Sequence, residues 1–338
     1  MIKRLFNRND NIAILIAGIF SIIIGLGVAR FAFTGLIPAM LDDYLTIKFV
    51  GILASLNFAG YLSGSIFSIF VKDINFKVYL YRFGIFLAIS TTFILAYSDN
   101  NTLWMVGRVL AGFAGAMCLI VGTSIVMQKL TIKSKTKAMG IHFSGIGFSI
   151  LTTDLLARFV LSLNYSWRDS WAVLALFAII LSLYSVYILS FDKEVKQNAV
   201  KVKFDISIFT PFVIVLIIAY FTEGVGFVVQ ATFLPDIINN LKGLEGYGSL
   251  TWTLVGVAGI PSCIIWMLLA HKFGSSNIII IALLLQAVGI LIPAFSSNIY
   301  LNLLSGVLYG GTFIGLVALF MNLGGQLSRG NPVVLMGA

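Results

Sequence analysis

The sequence predicts an all-α membrane protein built from two repeats, and three observations lead to this prediction. Charged residues make up only 10% of the 338-residue chain and apolar residues 59%, whereas soluble domains carry roughly 25% charged residues. The apolar residues form long blocks, each near the ~20 residues that cross ~30 Å of hydrocarbon as a helix. Two stretches about 198 residues apart resemble each other. Runs this long and evenly apolar argue against the alternating strands of a barrel, so the spans are predicted as helices.

The apolar blocks predict about ten transmembrane helices separated by short polar segments. The first block follows a basic N-terminus and is far longer than the apolar core of a secretory signal peptide, which indicates a retained helix. The predicted spans are 12–40, 47–71, 77–97, 102–127, 138–161, 170–190, 209–235, 249–270, 276–295 and 299–325.

The basic residues predict the orientation of these spans. With the N-terminus in the cytosol, sixteen of the 22 Lys and Arg residues fall in cytosolic segments, and only Lys48, Arg168 and Lys242 fall in outer loops. Because cytosolic loops are enriched in basic residues, we expect a multi-pass protein of the cytoplasmic (inner) membrane with a cytosolic N-terminus. This distribution accounts for most of the net charge of +9. The lipid bilayer is therefore the expected partner, and no nucleic acid is expected.

An internal repeat predicts two halves that run the same way through the membrane. Residues 96–112 and 294–310 are identical at seven of 17 positions at an offset of 198, and Pro38 and Pro235 lie 197 apart. A long polar segment follows the sixth span. The predicted domains are an N-terminal six-helix bundle (1–190), a cytosolic linker (191–208) and an incomplete C-terminal bundle of four helices (209–338).

The register of the repeat also predicts where the second copy stops. Ala338 corresponds to Gly140, which opens the fifth span, so the second copy is expected to lack its last two helices. We expect a chain that is cut short; a family with ten helices is the alternative.

Four segments resemble a known family: GLGVARFAFTGLIP (25–38), LASLNFAGYLSG (53–64), GIHFSGIGFSI (140–150) and EGVGFVVQATFLP (223–235). They are similar to the YbfB/YjiJ-type transporters of the major facilitator superfamily, and the resemblance covers essentially the whole chain. It implies a major facilitator-like bundle, with twelve spans in family members. It also implies a secondary active transporter, or permease, that moves a small organic solute by alternating access. Parallel repeats of this kind hold substrate at the interface of the halves.

The superfamily motifs match this sequence unevenly. Arg108 with Gly112 resembles the arginine motif of the fourth span, which is linked to substrate or proton handling. Of the Asp-Arg-x-Gly gating signature after the second span, only Asp73 is present, and its repeat partner keeps Lys272 without the acid. Asp73 and Lys272 are the candidate gating residues. The fifth span lacks the Gly-Pro pair typical of drug antiporters.

Two arginines in predicted spans are the main candidates for substrate binding, because a charge at mid-membrane costs at least ~2.5–3.5 kcal/mol on insertion scales. Arg30 and Arg108 lie in spans that line the cavity of the superfamily fold, and two guanidinium groups facing one cavity would bind a carboxylate or phosphate. The alternative is that one of them neutralises Asp154 or anchors a helix end. The repeat counterpart of Arg108 is Gly306, so the fold alone does not require an arginine. Asn57 and Gln230 are weaker substrate-binding candidates.

Three residues are candidates for proton coupling. Glu223 lies near the centre of the seventh span, where a carboxyl group can load and release a proton; a structural hydrogen bond is the alternative. Asp154 and Arg158 are four residues apart on the fifth span, hence on one face, and a local ion pair is the simpler interpretation. His142, near the cytosolic end of that span, is more simply a packing residue.

Other classes of function find little support in the sequence. It contains no Walker loop, HExxH or GxSxG motif, so ATP-driven transport and hydrolysis are not indicated. No catalytic residue, metal site or cofactor is predicted, and Cys118 and Cys263 are expected to be small buried hydrophobic residues. We expect a monomeric transporter rather than an enzyme, with a small-molecule substrate, favoured as anionic, and a coupled proton. An inactive truncated protein, acting as a scaffold or sensor, is the alternative.

Overall fold

The computed structural model describes residues 2–131, 135–190 and 210–327, which are helical apart from short turns and loops. Ten helices in these ranges are long and apolar enough to cross a membrane, which confirms the all-α fold class. A short helix over Ile2–Leu5 precedes them. We number the ten in chain order: α1 Asn11–Leu41, α2 Ile47–Phe70, α3 Ile74–Tyr97, α4 Asn101–Lys129, α5 Lys135–Ser162, α6 Trp167–Ile188, α7 Pro211–Asn239, α8 Tyr247–Phe273, α9 Ser275–Phe295 and α10 Ile299–Leu327.

The chain divides into two compact units, Met1–Gln197 and Asn198–Ala338. Unit 1 contains α1 to α6, and unit 2 contains α7 to α10. The predicted linker, 191–208, lies outside the described residues, and so does the stretch from 328 onward that includes the predicted repeat end at Ala338.

Polar residues cap several helices where the chain passes from a loop into an apolar run. Asp73 begins α3, with its carboxylate accepting from the amide of Phe76 at 2.7 Å. Ser166 and Asp169 form a capping box at the start of α6, in which each side chain accepts from the backbone amide of the other. Such caps satisfy amides that have no partner inside the helix.

Two helices of unit 1 contain π-helical segments, Ile23–Phe31 in α1 and Met117–Val121 in α4. The segments meet at Gly25, where an added Cβ would overlap the Cβ of Cys118. The hydroxyl of Ser21 donates to the carbonyl of Cys118 at 2.9 Å. A π segment widens the helix and changes the direction of the side chains that it carries, and Arg30 belongs to the first segment.

Within each unit the second and fourth helices form a close pair, α2 with α4 and α8 with α10. In unit 1, α5 and α6 also pack against α1, and 72% of the most apolar stretch of α1 is buried. In unit 2, α7 packs against α8, α9 and α10, and only 6% of its most apolar stretch is buried. The described part of unit 2 has no counterparts of α5 and α6, which explains this difference.

The loop before the fourth helix has the same hydrogen bonds in both units, at the predicted offset of 198. In unit 1, the Asn100 amide donates to the Ser98 hydroxyl at 3.1 Å, the Asn100 side chain caps α4, and the Trp104 indole donates to the Ser98 carbonyl at 2.8 Å. In unit 2 the same three contacts, two of them at the same distances, are made by Ser296, Asn298 and Asn302. The register of the repeat is therefore present in the structure.

The crossing of the second and fourth helices follows the same register. A Cβ on Gly112 of α4 would overlap the carbonyl oxygen of Asn57 in α2, and a Cβ on Gly310 of α10 would overlap that of Val255 in α8. Both residues in the second pair are 198 positions after their partners in the first. Glycine at these positions lets the two backbones come into contact.

Candidate functional site

Arg30 lies at the end of the π segment of α1, where its side chain is half-buried. Its guanidinium carbon is 4.3 Å from the ring centroid of Phe58, 5.4 Å from that of Tyr61 and 5.5 Å from that of Phe31. Phe58 and Tyr61 are three residues apart on α2 and so share a face. The guanidinium of Arg30 is therefore framed by aromatic rings from two helices.

Arg108 projects from α4 and is almost completely buried, with 3% of its surface exposed. Its Nη1 donates to the carbonyl of Ala29 at 3.0 Å and its Nε to the carbonyl of Leu53 at 3.4 Å. Its guanidinium carbon lies 4.3 Å from the ring centroid of Phe33. Arg108 thus ties α4 to the backbones of α1 and α2, and one of its bonds goes to Ala29, the residue that precedes Arg30.

Asn57 completes this cluster on α2. Its side-chain amide donates to the carbonyl of Arg108 at 3.1 Å. Its side-chain oxygen is buried and has no hydrogen-bond partner among the described residues. Three of the predicted site residues, Arg30, Asn57 and Arg108, are therefore neighbours within unit 1. We call these three, with the framing rings of Phe58 and Tyr61, the arginine cluster.

Unit 2 lacks the arginine cluster although its helices cross in the same way. At the offset of 198, the cluster corresponds to Val228, Val255, Gly256, Gly259 and Gly306. The carbonyl of Phe227 in α7 accepts from the hydroxyl of Tyr309 in α10 at 3.2 Å. The same helix contact is thus bridged by an arginine in one unit and by a tyrosine in the other. The repeat fold does not require the charged side chains of the cluster.

Glu223 of α7 is buried and accepts a hydrogen bond from the side-chain amide of Gln286 in α9 at 3.0 Å. Gln230, two turns further along α7, donates to the carbonyl of Ile290 at 3.2 Å. The side-chain oxygens of both glutamines are buried and have no hydrogen-bond partner among the described residues. Sequence reasoning missed Gln286. Its repeat counterpart is Ala88, and this replacement of a small residue by a polar one was the available signal.

Asp154 and Arg158 form the ion pair expected from their spacing, at 3.9 Å. The carboxylate is buried and the guanidinium is exposed. His142 is fully buried in α5, and its Nε2 is 2.8 Å from the hydroxyl of Thr123 in α4. Its Nδ1 is buried without a hydrogen-bond partner in the described residues and packs against Gly18. These contacts fit the local roles that were the simpler interpretations of both sites.

The two candidate gating residues lie at helix ends in different units. Asp73 is the N-cap of α3, so part of its hydrogen-bonding capacity is used by the helix that it begins. Lys272 lies in the last turn of α8, with its ammonium 5.0 Å from the ring centroid of Phe273. Near Asp73, Lys77 donates to the hydroxyl of Ser124 at 2.8 Å, which connects α3 to α4.

Solved structures of transporters match this fold over most of their length. One is a D-xylose-proton symporter, with a TM-score of 0.66 and 12% identity; the match covers 96% of this chain and 87% of the symporter. Another is a mutant of the nucleoside transporter NupG, with a TM-score of 0.65 and 14% identity; the match covers 98% of this chain and 88% of NupG. At these identities the likeness concerns the fold.

The sequence comparison gives the family. Residues 22–338 match the family described as "Uncharacterised MFS-type transporter YbfB". This range contains nine complete helices and most of α1, including the arginine cluster and Glu223. The resemblance noted in the four sequence segments is thereby confirmed, and the chain belongs to the YbfB family of major facilitator-type membrane transporters.

Proposed function

We propose that this transporter moves a small organic anion across the cytoplasmic membrane by alternating access, coupled to protons. Membership of the family supports transport in general. The proposal goes beyond family membership in three respects: the substrate is an anion, transport is coupled to protons, and the N-terminus lies in the cytosol.

The arginine cluster is the observation that supports an anionic substrate. A guanidinium within a membrane helix is costly, and unit 2 keeps the helix crossing with Val228 and Gly306 in place of Arg30 and Arg108. Arg30 is half-buried and presents a planar donor group that matches a carboxylate. Arg108 donates to main-chain carbonyls, so we assign it to holding α1 and α2 while adding positive potential. Asn57 and Gln230 are retained as secondary substrate contacts.

Glu223 is our candidate for the proton carrier. Its carboxyl group is buried, and its partner is the neutral side chain of Gln286 rather than a basic residue. A neutral amide can donate to a carboxylate or, after rotation, accept from a protonated carboxyl. This pair therefore accommodates both protonation states. Asp154 and His142 are weaker candidates because one is held in an ion pair and the other bonds to Thr123.

Some features of the proposal rest on the sequence pattern. Asp73 and Lys272, at the ends of α3 and α8, are proposed to act in gating the transport cycle. The excess of basic residues in alternate loops supports the cytosolic N-terminus. One structural neighbour is a D-xylose-proton symporter, which is compatible with proton coupling on this fold. We propose a monomer.

The proposal is tested with the full chain in proteoliposomes that contain a trapped pH-sensitive dye. Benzoate, acetate and phosphate are the anionic probes, and D-xylose and uridine are the neutral ones. We expect at least one anion to acidify the interior together with its own accumulation, faster than the passive entry of benzoic or acetic acid into protein-free liposomes, and the neutral probes to do neither. Arg30→Lys should weaken the anion response because an ammonium lacks the planar pair of donors. Arg82→Lys, on the exposed side of α3, is the matched control.

A second arm of the same experiment addresses the proton. Glu223→Gln should leave anion binding in place and abolish the coupled acidification, whereas Glu245→Gln in the exposed loop before α8 should change neither. Transport of D-xylose or uridine with no response to any anion would overturn the anion assignment. Undiminished acidification by Glu223→Gln would exclude Glu223 as the carrier.

A further inference from the structure

The rings around Arg30 point to the kind of anion that this site takes, an inference that rests on the proposed function. Phe58 and Tyr61 of α2 both turn towards the guanidinium, the nearer ring centroid at 4.3 Å from its central carbon. Both rings are half-buried, as is Arg30 itself. A guanidinium held between rings is oriented by them, because its plane and the π face attract each other.

These rings are additions to unit 1 that the helix crossing does not require. At the same register, α8 has Gly256 and Gly259 where α2 has Phe58 and Tyr61. The backbone contact next to them is present in both units, at Gly112 and at Gly310. The two rings of α2 and the arginine therefore occur together in unit 1, and the positions that correspond to them at this offset in unit 2 are Gly256, Gly259 and Val228.

The two guanidinium groups of the cluster differ in exposure, and Arg30 is the more exposed of the two. Arg108 is buried, and its Nε and Nη1 donate to the carbonyls of Leu53 and Ala29. A single half-buried arginine matches a single carboxylate, bound edge-on by two parallel hydrogen bonds. The rings beside it form an apolar wall whose π faces prefer another ring in an offset or edge-to-face arrangement.

We propose that the substrate is an aromatic monocarboxylate, with its carboxylate on Arg30 and its ring against Phe58 and Tyr61. The carboxylate compensates the charge of Arg30, and the ring removes apolar surface from water on both partners. An aliphatic acid of equal size satisfies the charge but not the ring contacts. A neutral aromatic alcohol satisfies the ring contacts but not the charge.

The experiment measures binding to the full chain in nanodiscs by isothermal titration, with four probes that separate charge from ring. Benzoate carries both features, cyclohexanecarboxylate has the charge and a similar size, acetate has the charge alone, and benzyl alcohol has the ring alone. We expect benzoate to bind about two- to tenfold more tightly than cyclohexanecarboxylate, the range that an aromatic pair supplies. Acetate should bind at least about tenfold more weakly than benzoate because it lacks the buried ring.

Variants of Phe58 and Tyr61 test whether these two rings contact the ring of the substrate. Phe58→Leu keeps an apolar side chain but removes the ring, so it should reduce the preference for benzoate over cyclohexanecarboxylate, a ratio that does not change with a loss of affinity common to all carboxylates. Tyr61→Leu gives an independent second variant with the same expectation, and Tyr61→Phe should retain the preference. Phe70→Leu, at the exposed end of the same helix, is the matched control. The comparison among probes on the unaltered protein does not depend on the folding of any variant.

The outcomes separate this inference from the proposed function. Equal affinity for benzoate, cyclohexanecarboxylate and acetate, all lost in Arg30→Lys, would overturn the aromatic class and leave the anion assignment intact. A preference for benzoate that survives in Phe58→Leu and Tyr61→Leu would overturn the placement of the ring. Anion binding that is unchanged in Arg30→Lys would overturn both the inference and the anion site.

Discussion

Arg30 and Arg108 carry the same charge on neighbouring helices, but their surroundings differ. Arg108 is buried and donates to two main-chain carbonyls, so its guanidinium joins three helices. Arg30 is half-buried and is contacted by rings. We infer a division of roles between the two residues: Arg108 holds the helices of the cluster together, and Arg30 binds the ligand.

This division predicts different consequences for the same substitution at the two positions. Arg108→Lys removes a group that reaches two carbonyls at once, so we expect a loss of about 1.5–3 kcal/mol of stability, typical of hydrogen bonds to charged groups. Arg30→Lys should lose at most about 0.5–1 kcal/mol, the size of a cation–π contact, because an ammonium keeps part of that contact. Thermal unfolding in detergent, followed by tryptophan fluorescence, measures both. Equal destabilisation by the two variants would contradict the division.

The charged candidates were predictable from the sequence because a charge inside an apolar span stands out. The partners of Arg108 were not, since they are backbone carbonyls selected by how the helices rotate against one another. Gln286 was missed because an uncharged polar residue barely changes the hydropathy of α9, although it contacts Glu223 directly. The sequence thus identifies the ionisable groups but does not show which residues they contact.

At the level of helices, the backbones of α2 and α4, and of α8 and α10, come into contact at glycines, Gly112 and Gly310 among them. A Cβ on Gly310 would overlap the carbonyl oxygen of Val255, whereas a Cβ on the adjacent Gly311 would find only the Cβ of Ala258, at 3.9 Å. Gly310 and Gly311, neighbours on α10, therefore differ in whether the packing leaves space for a Cβ.

We expect Gly310→Ala to destabilise the protein by about 1–3 kcal/mol, as overpacking of a tight contact does. Gly311→Ala should be neutral or stabilising by up to about 1 kcal/mol, because alanine is the better helix former. In unit 1, Gly112→Ala and Gly107→Ala form the same pair, since a Cβ on Gly107 approaches no atom closer than 3.8 Å, on Ile94. The unfolding midpoint of each variant provides the test. A tolerated Gly310→Ala would refute the close crossing.

The helices themselves were predictable because the length of an apolar run determines the length of a span. Among α1 to α4, the helix start that differs most from its predicted position is that of α3. It begins at Ile74 rather than at 77 because Asp73 supplies its N-cap. The π segments of α1 and α4 were not foreseen. In a uniformly apolar span, a π turn leaves no mark on composition or periodicity. It nevertheless changes the direction of the side chains that it carries, and Arg30 is one of them.

Over the whole molecule, the two units share a backbone register but differ in the side chains placed upon it. The loop at Ser98 and the loop at Ser296 have matching hydrogen bonds, and Gly112 and Gly310 make equivalent crossings. Unit 1 adds the arginine cluster, and unit 2 adds the pair of Glu223 and Gln286. The register could be predicted from the sequence because identities near one offset persist where the loop contacts match, whereas the predicted division at 191–208 lies outside the described residues.

The two cysteines of the chain make it possible to ask whether the units unfold separately. Cys118 lies in unit 1 and Cys263 in unit 2, and both thiols are buried. Cys263→Ala leaves a thiol that reports only unit 1, and Cys118→Ala leaves one that reports only unit 2. A thiol-reactive dye that fluoresces on reaction records the temperature at which each becomes accessible.

Because each glycine crossing lies wholly within one compact unit, we expect Gly112→Ala to lower the midpoint reported by Cys118 more than that reported by Cys263. Gly310→Ala should have the opposite preference. Such a pattern identifies each unit as a cooperative folding unit with its own stability. If both thiols shift equally for both glycine variants, the chain unfolds as one cooperative body, and the division into separately stable units is wrong.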